Sequence, residues 1–390
     1  MDYPRLAIIS VALPETRFAG SLLLYRLLRN YPANRLIVMG PATHPDSEVL
    51  STPYYFIPEN MTARLNRTRF SRFKRSLEAI GLVDRLPLTI AKKHANGFQP
   101  EVVLSVMERR DYTDLAFRFS REQKIPLVLI IHDLVEQFEP VYSWAATAQR
   151  RRYAEIYKSA HARLCVSPIL RDRLEKLYRA PGTVLYPIRS ESITPRPPED
   201  SLKLKDPPFL TLGYAGSLSY GYGDQISIMG RLLPKVRAKL RIYSRDTPPE
   251  RIDGIEYVGY DAPEKTWDKV KRDADATLLV YSWSNDWRDL SETHFPSKLP
   301  EYLALEMPLM IVGPPYAAGV KWGLRHPEAA ITITDQSEAS FTGACSLLRE
   351  SAAKRQELAA SAVVSGEKDF APSLLREIFY DSLFSAARRC

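Results

Sequence analysis

The chain has 390 residues, of which 45% are hydrophobic and 26% charged, and its formal net charge is +8. This length favours two domains of about 200 residues each, and the composition excludes an intrinsically disordered chain. The positive charge favours anionic partners without identifying them, and no apolar run approaches the roughly 18 residues that a membrane-spanning helix needs.

The N-terminus and the cysteines indicate a reduced, cytoplasmic protein. MDYPRLAIISVALP carries Asp2 before a short apolar run, which predicts a first strand and not a signal peptide. Cys165, Cys345 and Cys390 are widely separated, so neither a metal site nor a disulfide framework is predicted.

The first half of the chain alternates β-branched runs with longer amphipathic segments, which is typical of parallel strands covered by helices. Helical periodicity is present at 21–31 and 114–123. The predicted strands are LAIISV (6–11), RLIVMG (35–40), EVVLSV (101–106), PLVLIIH (126–132), ARLCVS (162–167) and TVLYP (183–187).

Two loops at predicted carboxyl ends of strands carry polar side chains, and ligands of such sheets bind at these ends. The loop LPETRFAG (13–20) contains Glu15, Arg17 and Gly20, which we expect to meet an acceptor or, through Glu15, to supply a base. His132 ends another strand and could donate to a sugar hydroxyl or a phosphate. Asp133 would orient its ring or cap the next helix. A purely structural histidine is the alternative.

The segment RLNRTRFSRFKR (64–75) holds six cations and no acid. One interpretation is a solvated helix face or loop. The other is a patch that rests on anionic lipid, with aromatic side chains between the cations. No nucleic-acid recognition motif accompanies the segment, so nucleic acid is not a predicted partner. The cations are Arg64, Arg67, Arg69, Arg72, Lys74 and Arg75.

A proline-rich segment, TPRPPEDSLKLKDPP (194–208), predicts a semi-rigid linker. We therefore expect a first domain at 1–193 and a second at 209–365. The remaining residues, 366–390, contain a long amphipathic helix with no strand after it.

The second half repeats the alternation of strands and helices, so the fold class expected is two consecutive doubly wound α/β domains with a ligand cleft between them. Helices are predicted near 224–237, 263–273, 297–306 and 337–364. The predicted strands are FLTLGYAGS (209–217), KLRIYS (239–244), IEYVGY (255–260), ATLLVYS (276–282), LMIVG (309–313) and AITIT (330–334).

A glycine-rich turn follows the first strand of this half, beginning at Gly216 and Ser217. Its backbone amides could approach a phosphate, and the next helix would favour the negative charge. The alternative is an ordinary tight turn. The turn does not match the P-loop motif.

The stretch THFPSKLPEYLALEMPLMIVG (293–313) predicts a second helix start at a strand end. Ser297 is the expected N-cap, and the Lys298 ammonium suits a diphosphate. Glu301 could accept hydrogen bonds from a ribose diol. Alternatively, Glu301 only complements the helix dipole.

Other chemistries lack their motifs. The chain contains no HExxH, CxxC or GxSxG sequence, and the acid-rich segments 111–114 and 284–294 lack a cation-binding spacing. No metal site is predicted.

Taken together, these segments resemble glycosyltransferases of the GT-B fold, and specifically glycosyltransferase family 4. The N-terminal part of the resemblance rests on VVLSV, IPLVLIIHDL, YAEIYKSAHARLCVSPILRDRLEKLY and VLYPI. The nucleotide-binding part rests on LGYAGSLSYG, IEYVGY, DADATLLVYS and FPSKLPEYLALEMPLMIVG. The similarity covers about residues 100–345, and FPSKLPEYLALEMP is its most specific piece. The last helix is similar to the one that crosses back to the first domain in GT-B enzymes.

The resemblance implies roles for individual residues. Glu301 matches the second acid of the E-x7-E motif, which holds the nucleotide ribose. The first acid would fall at Thr293, where the sequence departs from the pattern, and we assign Thr293 and His294 to the donor sugar. The Arg and Lys that normally follow the glycine turn are absent, and Arg245 and Lys298 are the proposed substitutes. His132 matches the cleft histidine of the family.

The activity implied is transfer of a sugar from a UDP-, GDP- or dTDP-linked donor to a glycan or lipid-linked acceptor, in synthesis of a surface polysaccharide or glycoconjugate. Retention of configuration, no essential metal cofactor and a location at the inner face of a membrane are expected. Inversion would need a base, for which Glu15 is the candidate. The alternatives are a GT-B-like nucleotide-sugar epimerase and a non-catalytic binding partner that keeps the fold.

Overall fold

A computed structural model describes residues 2–16, 19–44, 47–58, 65, 68–83, 85–193, 195, 206–246 and 251–388. The chain divides into two compact units, which are described separately below. The first unit comprises Met1–Tyr186 and Ser373–Cys390, and the second comprises Pro187–Pro372. Most of the predicted linker, at 194 and 196–205, lies outside the described residues.

The first unit contains a parallel sheet, with strand order β3-β2-β1-β4-β5-β6-β7. Its central strands are fully buried and rich in Val, Ile and Leu, because helices cover a parallel sheet on both faces. The strands are β1 (Leu6–Ile9), β2 (Leu36–Gly40), β3 (Tyr54–Phe56), β4 (Val102–Val106), β5 (Leu127–Ile131), β6 (Ala162–Cys165) and β7 (Thr183–Val184).

The helices of the first unit begin after strands and run back along the sheet. Ser167 follows β6 and caps the next helix, since its hydroxyl accepts from the amide of Leu170 at 3.1 Å. The helices are α1 (Ala19–Leu28), α2 (Ser71–Ala79), α3 (Leu88–Ala95), α4 (Arg110–Gln123), α5 (Val135–Phe138), α6 (Ser143–Ser159) and α7 (Pro168–Tyr178).

The second unit contains another parallel sheet, with strand order β10-β9-β8-β11-β12-β13. The order reverses on either side of β8, which is the switch point where ligands of such sheets bind. The strands are β8 (Leu210–Ala215), β9 (Ala238–Tyr243), β10 (Ile255–Tyr257), β11 (Ala276–Val280), β12 (Leu309–Val312) and β13 (Ala330–Ile333).

The helices of the second unit include two short ones on either side of Pro296. They are α8 (Tyr222–Gly230), α9 (Pro263–Asp273), α10 (Arg288–Thr293), α11 (Leu299–Ala304), α12 (Ala318–Arg325), α13 (Glu338–Glu350) and α14 (Ala352–Phe370).

The last helix, α15 (Pro372–Ala387), packs on the first unit almost throughout its length. Arg376 donates to the carbonyl of Arg26 at 3.1 Å, and the Tyr380 hydroxyl donates to the carbonyl of Leu27 at 2.8 Å. Tyr380 also makes an edge-on contact with Tyr3 at 5.5 Å between ring centroids. These bonds join α15 to the C-terminal end of α1.

The predicted fold class is confirmed: both halves are parallel sheets covered by helices. Every predicted strand is present, generally one to three residues shorter than its apolar run. The sequence did not indicate β3, because this short edge strand has only partly buried and exposed side chains.

Two helix predictions were wrong in their continuity. The segment near 224–237 forms α8, which ends at Gly230, and a separate 3-10 helix at Leu233–Val236. The segment 337–364 forms two helices, which meet at Ser351. The Ser351 hydroxyl accepts from the amide of Lys354 at 3.2 Å and so begins α14. Buried Arg355 donates to the carbonyls of Leu348 and Arg349, which ends α13.

No helix in the described part of the chain is long and apolar enough to cross a membrane. Cys165 and Cys345 are buried thiols, one in each unit, and neither forms a disulfide. Cys390 lies outside the described residues.

The break between α13 and α14 leads to a stability prediction. We expect Ser351→Ala to lower the free energy of unfolding by about 1 kcal/mol, because the first turn of α14 loses its side-chain cap. Urea denaturation followed by circular dichroism measures the change. Ser361→Ala, inside the same helix, is the control and should leave stability equal or slightly higher. Equal effects of the two substitutions would show that the cap contributes nothing.

Candidate functional site

Lys298 lies at the start of α11, at the carboxyl edge of the second unit's sheet. The residue at the N-cap position is Lys298 itself and not Ser297, which is exposed and makes no side-chain cap. The prediction of Ser297 as N-cap was therefore wrong. Pro300 in the first turn stabilises a helix start here, because its missing amide would have no partner in any case.

The ammonium of Lys298 is enclosed by aromatic rings and by glycine. Its Nζ lies 3.9 Å from the ring centroid of Tyr214 and 5.7 Å from that of Tyr222. A Cβ atom on Gly216 would lie only 2.8 Å from the same Nζ. Gly216 also has a φ of +137°, so glycine is needed both for the backbone and for the cation.

No carboxylate in the described part of the chain forms an ion pair with Lys298. Burial lowers the pKa of Lys298 from 10.5 to about 7, because the surrounding protein solvates the charged form poorly. The rings of Tyr214 and Tyr222 supply only partial compensation. A buried cation of this kind favours an incoming anion as its counter-ion.

Tyr302 anchors α11 to the end of β8 and so positions Lys298. The amide of Ala215 donates to the hydroxyl of fully buried Tyr302 at 2.7 Å. On the other side, α11 packs closely on α14, where a Cβ on Gly366 would lie 2.9 Å from that of Leu303. The cation therefore stands on a short helix fixed from two directions.

The glycine-rich turn does not present the row of open amides that a phosphate cradle requires. Asp246 accepts hydrogen bonds from the Ser217 hydroxyl at 2.7 Å and from the Leu218 amide at 2.6 Å. The amide of Gly216 donates to the carbonyl of Tyr243, and that of Ser219 donates to the Ser217 hydroxyl. The Ser217 hydroxyl is therefore engaged by Asp246, whereas the Lys298 ammonium lies beside Gly216 at the start of the same turn.

Glu301 is 2% exposed and lies in the first turn of α11. One of its carboxylate oxygens accepts from the amide of Ser190 at 3.2 Å. The Ser190 hydroxyl in turn contacts Glu264, in the first turn of α9, at 3.2 Å. The segment around Ser190, which follows β7, therefore lies directly against the Glu301 carboxylate.

The Thr293 side chain lies in the protein interior. The residue is fully buried at the end of α10, and its hydroxyl donates to the carbonyl of Asp289 at 2.9 Å. The assignment of Thr293 to the donor sugar stays a prediction, and the buried position of the hydroxyl does not favour it. His294 is half-buried and ends the same helix.

Arg245 is exposed in the loop after β9, and its guanidinium stacks on the ring of Tyr260 at 4.6 Å. The next residue, Asp246, holds the glycine turn, so Arg245 lies beside that turn. Among the described side chains no group of three or more His, Cys, Asp or Glu is placed to hold a metal ion.

In the first unit, His132 and Gly20 come together at the carboxyl edge of the sheet. A Cβ on Gly20 would lie 3.3 Å from His132 Nε2 and 4.0 Å from an oxygen of Glu108. Desolvation and the nearby Asp133 carboxylate raise the pKa of Glu108. His132, Asp133, Glu108 and Gly20 therefore form a polar cluster, in which Glu108 is exposed and His132 Nε2 is buried.

The Glu15 carboxylate is buried and accepts a hydrogen bond from the backbone. It is 6% exposed, and its carboxylate accepts from the amide of His44 at 3.2 Å. Its backbone forms an isolated bridge with Val49. The role of Glu15 as a catalytic base stays a prediction, and the low exposure of its carboxylate does not favour it. Arg17 lies outside the described residues.

The basic segment 64–75 is divided between surface and interior. Arg69 and Arg72 are exposed, as are Phe70 and Phe73. Lys74, however, is 4% exposed and pairs with Glu78 at 2.8 Å, so it does not belong to a surface patch. Arg75 is half-buried, and Arg64 and Arg67 lie outside the described residues.

Several residues of the site were not identified from the sequence. Tyr214 lies in a predicted strand, Tyr222 lies in the predicted glycine-rich turn, and Glu108 followed a strand without a motif. Asp246 and Ser190 occur in loops, where their partners are distant in sequence. Of these residues, only Glu108 could have been found from the sequence, because it is a polar residue directly after a strand end.

Two parallel sheets in succession, with a last helix that packs on the first unit, are the architecture of the GT-B fold. No family model matches the sequence, and no curated protein matches it.

Solved structures share the fold at low sequence identity. HepE from Anabaena in complex with UDP is 13% identical, with a TM-score of 0.69 over 98% of this chain and 100% of that one. The sucrose-phosphate synthase of Thermosynechococcus elongatus is 12% identical, with a TM-score of 0.67 over 99% and 100%. WaaG, a glycosyltransferase involved in lipopolysaccharide biosynthesis, is 12% identical, with a TM-score of 0.60 over 97% and 99%.

The enclosed ammonium leads to a pH-dependent stability prediction. Unfolding returns the pKa of Lys298 from about 7 to about 10.5, so between these values the unfolded chain binds the extra proton. The cost to the folded state is then largest below about pH 7 and disappears near pH 10.5. We expect Lys298→Met to raise the melting temperature most at about pH 6 and progressively less as pH rises.

Differential scanning calorimetry at several pH values measures this difference. Lys321→Met, at another partly buried lysine of the same unit, is the control and should show no such trend. A melting-temperature gain for Lys298→Met that is constant with pH would show that the ammonium is well solvated.

Proposed function

We propose that this protein is a GT-B glycosyltransferase that moves a sugar from a nucleotide-diphosphate sugar to a glycan or lipid-linked acceptor. The observation that carries the proposal is the enclosed Lys298 ammonium, which has no carboxylate partner among the described residues and lies at the switch point of the second sheet. The shared fold supports it, since the solved structures of that fold include one in complex with UDP-glucose.

Lys298 would act on the leaving group. When the bond between the sugar and the diphosphate breaks, negative charge develops on the departing phosphate oxygen. A cation already held in a poorly solvating environment stabilises that charge more strongly than a cation in water. Arg245, beside the glycine turn, is the second cation of the proposed diphosphate site.

Glu301 would hold the ribose of the donor. Its carboxylate is oriented by the Ser190 amide, and carboxylate oxygens accept hydrogen bonds from vicinal hydroxyls. This role supports kinship with glycosyltransferase family 4 and a retaining mechanism. Buried Thr293 leaves the first acid of that family's motif unreplaced, so the donor sugar must be held by other groups.

The cluster around His132 would bind the sugar hydroxyls that reach the first unit. His132, Asp133 and Glu108 offer both donors and acceptors in one small area. The absence of a side chain at Gly20 leaves room for a hydroxyl there. We place acceptor recognition in this unit.

A panel of UDP-, GDP- and dTDP-linked sugars tests the proposal. We expect the protein to bind at least one of them and to release free nucleoside diphosphate only when an acceptor extract is added. Release of a different nucleotide sugar without acceptor would indicate an epimerase. Binding without turnover would indicate a non-catalytic homologue, and no binding of any member would refute the proposal.

The pH dependence of donor affinity tests the role of Lys298. A bound diphosphate should raise the pKa of Lys298 above its value of about 7 in the unliganded protein. Affinity should therefore be highest below about pH 7 and fall by up to about tenfold per unit above it. Calorimetric titration with a nucleotide sugar measures this profile.

Use of a nucleotide sugar matters because its diphosphate has no group that ionises near neutral pH, whereas a terminal phosphate has a pKa of about 6. Lys298→Arg is the matched control, since its guanidinium stays protonated and its affinity should not vary over this range. A flat profile for the parent protein would remove Lys298 from the diphosphate site.

We further propose that the exposed part of the basic segment contacts an anionic membrane at its inner face. Arg69 and Arg72 are exposed beside Phe70 and Phe73, which are 51% and 49% exposed. Aromatic rings between cations suit the interface between lipid head groups and acyl chains. Such a surface would bring the enzyme to a lipid-linked acceptor.

Sedimentation with vesicles tests this contact. Arg69→Glu together with Arg72→Glu should reduce binding to anionic vesicles by at least about tenfold, since each basic residue contributes about 1 kcal/mol near the surface. Arg121→Glu with Lys124→Glu, on exposed residues elsewhere in the first unit, is the control of equal charge. Equal losses for both pairs would show a non-specific charge effect.

A further inference from the structure

Tyr220 adopts a backbone conformation that is unusual for its place in the fold. Among the described residues, six non-glycine residues have positive φ, and Tyr220 is one of them at +60°. The other five all follow the end of a helix, where left-handed residues are common. These five are Gln99, Lys124, Arg179, Arg237 and Glu306.

Tyr220 instead precedes a helix, in the loop that leads into α8. The left-handed conformation is costly for a bulky residue, and such strain concentrates at binding sites. Glycine would adopt it without cost, as the next residue, Gly221, does at +74°. A tyrosine at position 220 is therefore less favourable than glycine for this backbone conformation.

The same turn presses Gly221 against the segment that follows β11. A Cβ on Gly221 would lie 2.5 Å from the Ser282 hydroxyl and 2.8 Å from the indole ring of Trp287. This close approach brings the Tyr220 ring edge-on to Trp287, at 5.4 Å between centroids and an interplanar angle of 81°. The turn thus places two aromatic side chains together at the surface.

The pair remains accessible despite these contacts. Tyr220 is 40% exposed, and Trp287 is half-buried. The residue before Trp287 is Asp286, whose exposed carboxylate could accept hydrogen bonds from hydroxyl groups. An aromatic surface beside a hydroxyl acceptor suits a ring that has an apolar face and polar edges.

The pair also adjoins the proposed diphosphate site. Tyr222 lies 6.2 Å from Tyr220 between ring centroids, and the Lys298 ammonium lies 5.7 Å from the ring of Tyr222. A sugar linked to a diphosphate, or a sugar next to it, is the compound that would extend from the cation toward these rings.

We propose that Tyr220 and Trp287 form a platform on which a pyranose ring of the substrate stacks. The C–H groups on one face of a pyranose carry partial positive charge and pack on the negative face of an aromatic ring. The inference rests on the proposed function for its ligand class. The ring is either the donor sugar or a sugar of the glycan acceptor.

Tyr220→Gly separates a binding role from a structural one. Glycine relieves the left-handed strain, so the melting temperature of the variant should equal or exceed that of the parent. Loss of the ring should weaken sugar binding by about tenfold. Phe209→Ala is the control, because Phe209 is 56% exposed at the opposite end of β8 and should not affect sugar binding.

Two titrations identify the source of the ring. The first compares each UDP-, GDP- or dTDP-linked sugar with the same nucleoside diphosphate lacking the sugar. A donor platform predicts that Tyr220→Gly weakens only the sugar-linked form. The second uses saturation-transfer NMR with a panel of soluble oligosaccharides, and an acceptor platform predicts a loss of that signal.

Each outcome decides the proposal. Unchanged binding in both titrations, or no sugar binding by the parent protein, would overturn it. A fall in melting temperature for Tyr220→Gly, with sugar binding intact, would show a structural role. If the sugar contributes nothing to nucleotide-sugar binding, the aromatic platform is refuted, while the proposed glycosyltransferase function is not. Sugar binding through Tyr220 without nucleotide binding would instead refute the glycosyltransferase function.

Discussion

The candidate site depends on one constraint, which is that the Lys298 ammonium lies in poorly solvating surroundings and pairs with no carboxylate among the described residues. The protein meets this cost with aromatic rings and a short helix fixed at Tyr302. In the proposed function, little reorganisation would be needed when a diphosphate binds, because the position of the cation is already set. Gly216 is part of the same constraint, since any side chain there would displace the ammonium.

The constraint also explains why the glycine turn differs from a phosphate cradle. Asp246 occupies the Ser217 hydroxyl and the Leu218 amide, so the turn is rigid before ligand binding. A carboxylate in that place would repel a phosphate close to those two groups. The glycine turn therefore shapes the site, and Lys298 carries its positive charge.

Much of the fold could be predicted from the sequence, because buried parallel strands form apolar runs that are visible as such. PLVLIIH and LMIVG are examples: His132 ends the first run, and the helix that begins at Lys298 leads into the second. The contacts of these residues could not be predicted in the same way. The hydrogen bond from the His44 amide to Glu15 and the one from the Ser190 amide to Glu301 join residues whose spatial proximity no local pattern encodes.

The resemblance to glycosyltransferase family 4 places the first acid of its motif at position 293, where this chain has Thr293. Its hydroxyl closes the last turn of α10 and is fully buried, so an acid at this position would need a different backbone or an unfavourable buried charge. Recognition of the donor sugar then has to come from neighbouring elements. The turn from Gly216 to Tyr222 is adjacent to Lys298. Within it, Tyr220 carries an exposed aromatic ring on a left-handed, strained backbone. In the proposed function, a site with an aromatic surface and without an acid at position 293 would recognise the faces of a sugar more than its hydroxyl groups.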